Sequence, residues 1–228
     1  MKFLLIGCNG KMGKSVCSIA KELGDEIVVG LDVTNSNTGF PIYQNITDVT
    51  EGFDAIIDFS TAQNHSEFIN LAINKKVPFG LFSTIISKQD QNALAKAEIA
   101  IPLLVCKNAS IGVNILYDLL EKCSKALPAC DCAISEYHHK NKLDSPSGTA
   151  KQIQKILSGK FSIQINCFRV GEEKGFHKIE FFLDGETISI SHKANSREIF
   201  SRGAILAMHS LCNLPAGKYD IKKLLQKQ

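Results

Sequence analysis

Five short apolar runs punctuate the first half of the chain, and between them the apolar positions recur every three or four residues. The runs Lys2–Ile6, Glu26–Leu31, Asp54–Phe59, Val77–Phe82 and Ile101–Cys106 have strand length, whereas Lys11–Leu23, Gln63–Asn74 and Ser87–Ala97 carry helical periodicity. Such alternation predicts an α/β domain with a parallel sheet covered by helices. Near Lys107 the rhythm changes. A long apolar helix, Ile111–Leu127, leads to a strand, Cys130–Tyr137, and then to a helix, Thr149–Leu157, with Ile153, Ile156 and Leu157 on one face and Gly159 as its stop. Three strand-like stretches follow, Phe161–Val170, His177–Leu183 and Thr187–Ser191, separated by glycine-containing turns such as Asp184-Gly185. Consecutive strands joined by tight turns pair antiparallel, so the pattern predicts a second sheet and a second domain. A last helix, about Phe200–Leu211, is free to pack on either one.

Composition narrows the function classes. The 228 residues include 44% hydrophobic and 21% charged side chains, which is ordinary for a globular chain and excludes a disordered or coiled-coil protein. The 26 basic and 23 acidic residues nearly balance, giving +3, so no nucleic-acid partner is expected. Eight cysteines are spread singly, and the close pair Cys130 and Cys132 lacks a second pair at zinc-site spacing. Reduced thiols, no metal site and a cytoplasmic location are therefore expected. The opening MKFLLIGCNG is interrupted by Gly7 too early for a secretory signal, and no window has the length of a membrane span.

Two stretches carry chemistry. After the first strand, Gly7-Cys8-Asn9-Gly10-Lys11-Met12-Gly13 opens a helix. Glycines at this point let the backbone turn and approach a pyrophosphate, and a helix N-terminus offers N–H groups and positive partial charge. Asp32, 19 positions past Gly13, ends the second strand, where a carboxylate accepts hydrogen bonds from an adenosine ribose. These features point to a dinucleotide. Val33 follows Asp32 where an arginine would pair with a 2′-phosphate, while Lys11 lies within reach of one, so NADH and NADPH both stay open.

The second stretch is Ser135–Ala150, SEYHHKNKLDSPSGTA. Reducing a polarised double bond requires a proton as well as a hydride, and histidine suits that task near neutral pH. His138 and His139 end a strand and should face opposite sides. Lys142 brings an ammonium to a polar loop, and Ser147, Gly148 and Thr149 open a helix whose N–H groups and hydroxyls suit an anionic oxygen. Together these residues fit a small dicarboxylate. Glu136 and Asp144 formally offset Lys140 and Lys142, so attraction has to come from local geometry.

The run His138-His139-x-x-Lys142-x-Asp144-x-Pro146-Ser147-Gly148-Thr149-Ala150 resembles the signature of the dihydrodipicolinate reductase family. The likeness extends along the chain: Gly7-x-x-Gly10-x-Met12-Gly13, Asp58-Phe59-Ser60, Asn108-x-Ser110-x-Gly112-Val113-Asn114, Arg169-Val170-Gly171, His192-Lys193-Ala194-x-Ser196-Arg197 and Gly217-Lys218-Tyr219-Asp220. The resemblance implies an N-terminal Rossmann dinucleotide-binding domain, residues 1–107, completed by about 198–228. It also implies a mixed α/β substrate-binding and oligomerisation domain, residues 108–197, in a homotetramer. By similarity, His138 is the general acid, Lys142 stabilises the transition state and binds carboxylate, and His139, Ser147, Gly148 and Thr149 contact substrate. The implied cofactor set is Gly7, Asn9, Gly10, Lys11, Met12, Gly13, Asp32, Phe59, Ser60, Ser83 and Thr84. The reaction implied is NADH- or NADPH-dependent reduction of the dihydrodipicolinate precursor in lysine and diaminopimelate biosynthesis.

One departure stands out. Where the family has Gly-Thr-Thr-Gly after the fourth strand, this chain reads Phe82-Ser83-Thr84-Ile85, and the segment between Asp32 and Asp54 is short for the family. Two alternatives stay open on the residues alone: another small-acid dehydrogenase, or a nucleotide-binding sensor without turnover.

Overall fold

The computed structural model describes residues 1–61, 65–83 and 86–225. Two compact units emerge, one made of Met1–Ser110 with Glu198–Gln228 and the other of Ile111–Arg197.

The first unit is built on a seven-stranded parallel sheet. Its strands are β1 (Lys2–Ile6), β2 (Glu26–Leu31), β3 (Ile42–Tyr43), β4 (Ala55–Asp58), β5 (Phe79–Leu81), β6 (Pro102–Val105) and β11 (Gly217–Tyr219), in the order β11-β6-β5-β4-β1-β2-β3. Alternate residues of each strand enter different cores, as the two-residue period requires. Phe3, Leu5, Ala55 and Ile57 pack with α1 (Lys11–Glu22), α6 (Glu198–Leu211) and α7 (Ile221–Leu225), whereas Leu4, Ile6 and Ile56 pack with α2 (Ser66–Lys75) and α3 (Lys88–Ala100). Both faces are covered, which is why the strands read as unbroken apolar runs. Strand order reverses between β1 and β4, and such a switch point opens a crevice at the carboxyl ends of the strands.

The last long helix, left unassigned by its pattern, belongs to this unit. Ser201 Oγ donates to Ser15 Oγ at 2.8 Å, Arg202 pairs with Glu22 at 2.7 Å, and His209 Nε2 lies 2.7 Å from Asp25. Ser87 caps α3 through a reciprocal capping box with Asp90, which turns the predicted first residue of that helix into its cap. Gln63 and Asn64, predicted to start α2, lie outside the described residues.

The second unit is a four-stranded mixed sheet with helices α4 (Ile111–Ala126) and α5 (Gly148–Leu157) packed on one face. Its strands β7 (Asp131–His138), β8 (Ser162–Arg169), β9 (Phe176–Leu183) and β10 (Glu186–Lys193) run in the order β10-β9-β7-β8. The predicted hairpin holds for β9 and β10, turned at Gly185 with φ +76°. It fails for β8 and β9, since β7 inserts between them and pairs parallel to β8 and antiparallel to β9. The reason is α5: a helical crossover from β7 to β8 lays the second strand parallel to the first. On the other face lie Ala133, Ser135, Tyr137, Phe168, Phe176, Lys178 and Phe182; Tyr137 stacks on Phe168 at 4.5 Å, and Phe168 and Phe182 are exposed.

Candidate functional site

The β1–α1 turn is shaped by close backbone contacts at two of its glycines. Gly7 has φ +78°, and a Cβ there would sit 3.0 Å from the Ser60 backbone. At Gly13 a Cβ would overlap the carbonyl oxygen of Gly7 and lie 2.5 Å from that of Cys8. Gly10 caps α1 without a side-chain hydrogen bond, and the first turn carries no acidic residue. Met12 is half-buried and Lys11 exposed. The turn is therefore a backbone cradle at the positive end of a helix, and a diphosphate fits it.

Asp32 anchors this cradle. Its Oδ2 accepts the Asn9 N–H at 2.9 Å and its Oδ1 accepts the Thr34 N–H at 3.2 Å, while the Asn9 side chain donates to the Thr34 carbonyl at 2.5 Å and meets the Ser36 hydroxyl. The carboxylate thus ties the loop to the end of β2. On the other side of β1, Asp58 is fully buried at the end of β4; its Oδ1 accepts the Ser60 N–H at 2.8 Å and its Oδ2 lies 2.7 Å from His65 Nδ1. Burial pushes the Asp90 carboxyl up, but hydrogen bonds from Ser87 and the His65 backbone outweigh it and hold the group below its ordinary value. Asp58, tied to Ser60 and His65, fixes the end of β4 that carries Phe59 and Ser60, and Asp90 fixes the start of α3. Sequence reading missed His65 and Asp90, whose roles depend on burial.

Phe82, the residue that departs from the expected glycine, stacks on Phe59 with ring centroids 4.8 Å apart. Gly80 accommodates the ring: a Cβ there would meet it at 2.9 Å and the Met208 sulfur at 2.5 Å. Thr84 and Ile85 lie outside the described residues. The structure thus gathers Gly7, Asn9, Gly10, Lys11, Met12, Gly13, Asp32, Phe59, Ser60 and Ser83 at the carboxyl ends of β5, β4, β1 and β2.

In the second unit, β7 alternates buried and half-buried residues, which puts Glu136 and His138 on the helix-covered face and leaves His139 half-buried at the strand end. Glu136 is fully buried. Its Oε1 accepts the Ser147 N–H at 3.0 Å and Arg169 Nη2 at 2.9 Å. Its Oε2 faces His138 Nδ1 at 3.7 Å and His177 Nε2 at 3.6 Å. The register explains this meeting: Glu136 lies opposite His177, and His138 opposite Arg169. Burial pushes the Glu136 carboxyl up, but hydrogen bonds from His177, Ser147 and Arg169 hold it well below the carboxylate range. Burial lowers the His138 ring to about 4, with Glu136 pulling it upward and His177, Lys142 and Arg169 adding to the fall.

Ser147 caps α5 by accepting the Ala150 N–H at 3.2 Å, and its Oγ lies 3.3 Å from His177 Nε2. Gly148 is exposed and Thr149 half-buried in the first helical turn. Lys142 Nζ lies 2.6 Å from Asp144, whose backbone carbonyl also accepts from Arg169 at 2.6 Å. The structure therefore brings His138, Ser147, Glu136, Arg169 and His177 into one network and seats Lys142 on the loop between them. Glu136, His138 and His177 bring three ligand-type atoms within 4.8 Å. The Arg169 guanidinium stands against the same carboxylate. Sequence reading missed Glu136, Arg169 and His177 as site residues; Arg169 stood in the quoted motif pattern, and only cross-strand register reveals the other two.

The chain matches known proteins along nearly its full length. Residues 1–109 match the family model described as dihydrodipicolinate reductase, N-terminus, and residues 112–225 match that for the C-terminus. The 4-hydroxy-tetrahydrodipicolinate reductase of Caldanaerobacter subterraneus subsp. tengcongensis is 33% identical over 248 aligned positions, covering 100% of this chain and 99% of that one. That of Clostridium tetani is 35% identical, covering 99% and 97%. The dipicolinate-bound dihydrodipicolinate reductase from Paenisporosarcina sp. TG-14 shares the fold, with a TM-score of 0.85 at 20% identity over 98% of each chain. No helix among the described residues is long and apolar enough to cross a membrane. From the strand-end cradle to the buried carboxylate beneath two histidines, and from one end of the alignment to the other, the chain belongs to the dihydrodipicolinate reductase family.

Proposed function

We propose that this chain reduces 4-hydroxy-tetrahydrodipicolinate, the substrate its relatives' names give for them, to tetrahydrodipicolinate with NADH or NADPH. The observation that carries this reading is the placement of His138 and the Ser147 helix start around the buried Glu136 carboxylate, with Lys142 on the loop that joins them. A nicotinamide cofactor supplies a hydride when bound. The residues to hold it are Gly7, Asn9, Gly10, Lys11, Met12, Gly13, Asp32, Phe59, Ser60 and Ser83, with Thr84 beside them in sequence. His138 holds the proton that accompanies reduction. In the free chain its ring is neutral at pH 7, and a substrate bearing two carboxylates favours the protonated form by adding negative charge beside it. Lys142 exchanges Asp144 for a substrate carboxylate, and His139, Ser147, Gly148 and Thr149 receive the substrate at the start of α5. Nothing beside Asp32 favours a 2′-phosphate, because Val33 points out exposed, and Lys11 remains the cation for that role. The uncovered aromatic face of the second sheet supports assembly as a homotetramer, and the mixed α/β unit serves substrate binding and association in a cytoplasmic enzyme.

A coupled assay with freshly made product of dihydrodipicolinate synthase, run with NADH and NADPH in parallel, tests the reading. Oxidation of either cofactor only in the presence of that product is expected. Tight cofactor binding with no oxidation would favour a sensor instead.

A further inference from the structure

Glu136 stands outside the roles assigned above, yet it gathers His177 and Arg169 beside His138. From its own strand β7 it faces the ring at 3.7 Å; from β9 comes His177, from β8 Arg169 and from the start of α5 the Ser147 N–H, while Lys142 of the following loop acts on the His138 charge and pairs with Asp144. His192 on β10 lies opposite His177, one strand further out. Among the described residues His138 Nδ1 is buried without a hydrogen-bond partner and Glu136 Oε2, likewise unpartnered, faces it at 3.7 Å, while the ring's other nitrogen, Nε2, lies 3.4 Å from where a Cβ on Gly175 would stand. Gly175 has φ +146°, a backbone conformation open to glycine and strained for residues with a side chain, so Nε2 meets only a hydrogen there.

We propose that Glu136 is a positioning residue for the reduction: its Oε2 takes the Nδ1–H of His138 and thereby fixes the tautomer and ring orientation that leave Nε2 as the proton-transferring nitrogen. The inference rests on the proposed function, and it adds the residue through which His138 is set. The carboxylate is itself immobile, because Arg169 and the Ser147 N–H hold its other oxygen at 2.9 and 3.0 Å. At 3.7 Å the Glu136–His138 pair is a charge contact, and catalytic hydrogen bonds of this kind commonly tighten when substrate binds. His177 Nε2, at 3.6 Å from the same oxygen and 3.3 Å from Ser147 Oγ, has a second acceptor, so Oε2 is not required to satisfy it. In the transfer the Nε2–H bond breaks, the proton goes to the substrate as the hydride enters its conjugated imine, and the ring is left neutral with Nδ1–H still on Glu136.

The experiment combines steady-state kinetics of Glu136→Gln, Glu136→Asp, His138→Gln and the Glu136→Gln/His138→Gln double variant with ¹⁵N NMR of the histidine rings. Glu136→Gln should lower kcat by about 10-fold to 10²-fold with KM and cofactor affinity unchanged. The aspartate should recover part of that loss, and the double variant should be no slower than His138→Gln alone. In the wild type, the His138 signals should report Nδ1 protonated and Nε2 bare at neutral pH, a pattern lost in Glu136→Gln. Losses that multiply in the double variant, an unchanged kcat in Glu136→Gln, or a wild-type ring protonated at Nε2 would each overturn the assignment. If Glu136→Gln does not fold, the aspartate variant and the wild-type spectrum carry the decision. A wild type that fails to turn over 4-hydroxy-tetrahydrodipicolinate refutes the proposed function instead, while the spectrum still judges Glu136.

Discussion

The two units prepare for chemistry in opposite ways. In the first, the turn offers backbone N–H groups at a helix start, Gly13 leaves no room for a Cβ, and the Asp32 carboxylate holds the turn through Asn9 and Thr34. In the second, the backbone is regular sheet and helix, and the work falls to side chains stacked in cross-strand register around Glu136. A backbone cradle tolerates many neighbouring side chains but no Cβ at its tightest contact, Gly13. A buried ionic network tolerates no loss of a partner, because removing one strands the others in a dry interior.

The first way to break this contrast is at His138, the proposed proton donor. His138→Gln should reduce kcat by about 10²-fold or more with little change in KM, measured as cofactor oxidation in the coupled assay; normal turnover would place the proton source elsewhere. Next comes the cradle. Gly13→Ala puts a methyl group onto the Gly7 and Cys8 carbonyls and should cost about 1–3 kcal/mol of stability, read from the urea midpoint, while kcat of the cofactor-saturated fraction is retained.

The contrast also fixes what the sequence could tell. The cradle was legible because glycine spacing and the strand before it are local, and the α/β alternation of the first unit likewise follows from residue period alone. The second sheet was legible only in its strands: that β7 enters between β8 and β9 depends on the α5 crossover, which a turn-based reading of Gly171 and Gly175 could not supply. Short elements escaped for a related reason. The two residues of β3 and the three of β11 carry no period, and they become strands because β2 and β6 offer them an edge. At the site, His138 and Lys142 stood in a contiguous motif, whereas His177 lies 41 positions from Glu136 and joins it only through register. Phe82 shows the reverse case: a local departure from the family pattern proves to be matched by a partner, Phe59.

Smaller effects sharpen the comparison. The folded chain binds a proton on His138 at about 4 and the unfolded chain at about 6.5, so between those values the unfolded state holds more protons and stability falls as the pH is lowered. Glu136, held low, adds to the loss only at still more acid pH. Urea unfolding at pH 7 and pH 5 should therefore show a lower midpoint at pH 5, and His138→Gln should narrow the gap; an equal gap in both proteins would assign the acid sensitivity to other groups. Smallest of all is Asp144→Asn. The Lys142–Asp144 pair is partly exposed and should contribute no more than about 1 kcal/mol to stability, so this variant should leave the urea midpoint nearly unchanged. Its effect should fall on KM, which the freed Lys142 lowers or leaves alone, and a large loss of stability would show the pair to be structural.

The division of labour itself is tested by one measurement: the dissociation constant of the reduced cofactor for His138→Gln and Gly13→Ala, titrated side by side with the wild type. The account predicts that His138→Gln binds within about twofold of wild type and that Gly13→Ala binds about tenfold or more weakly, a difference of about 1.4 kcal/mol. Equal losses in the two variants, or a Gly13→Ala protein that binds as well as the wild type, would contradict it.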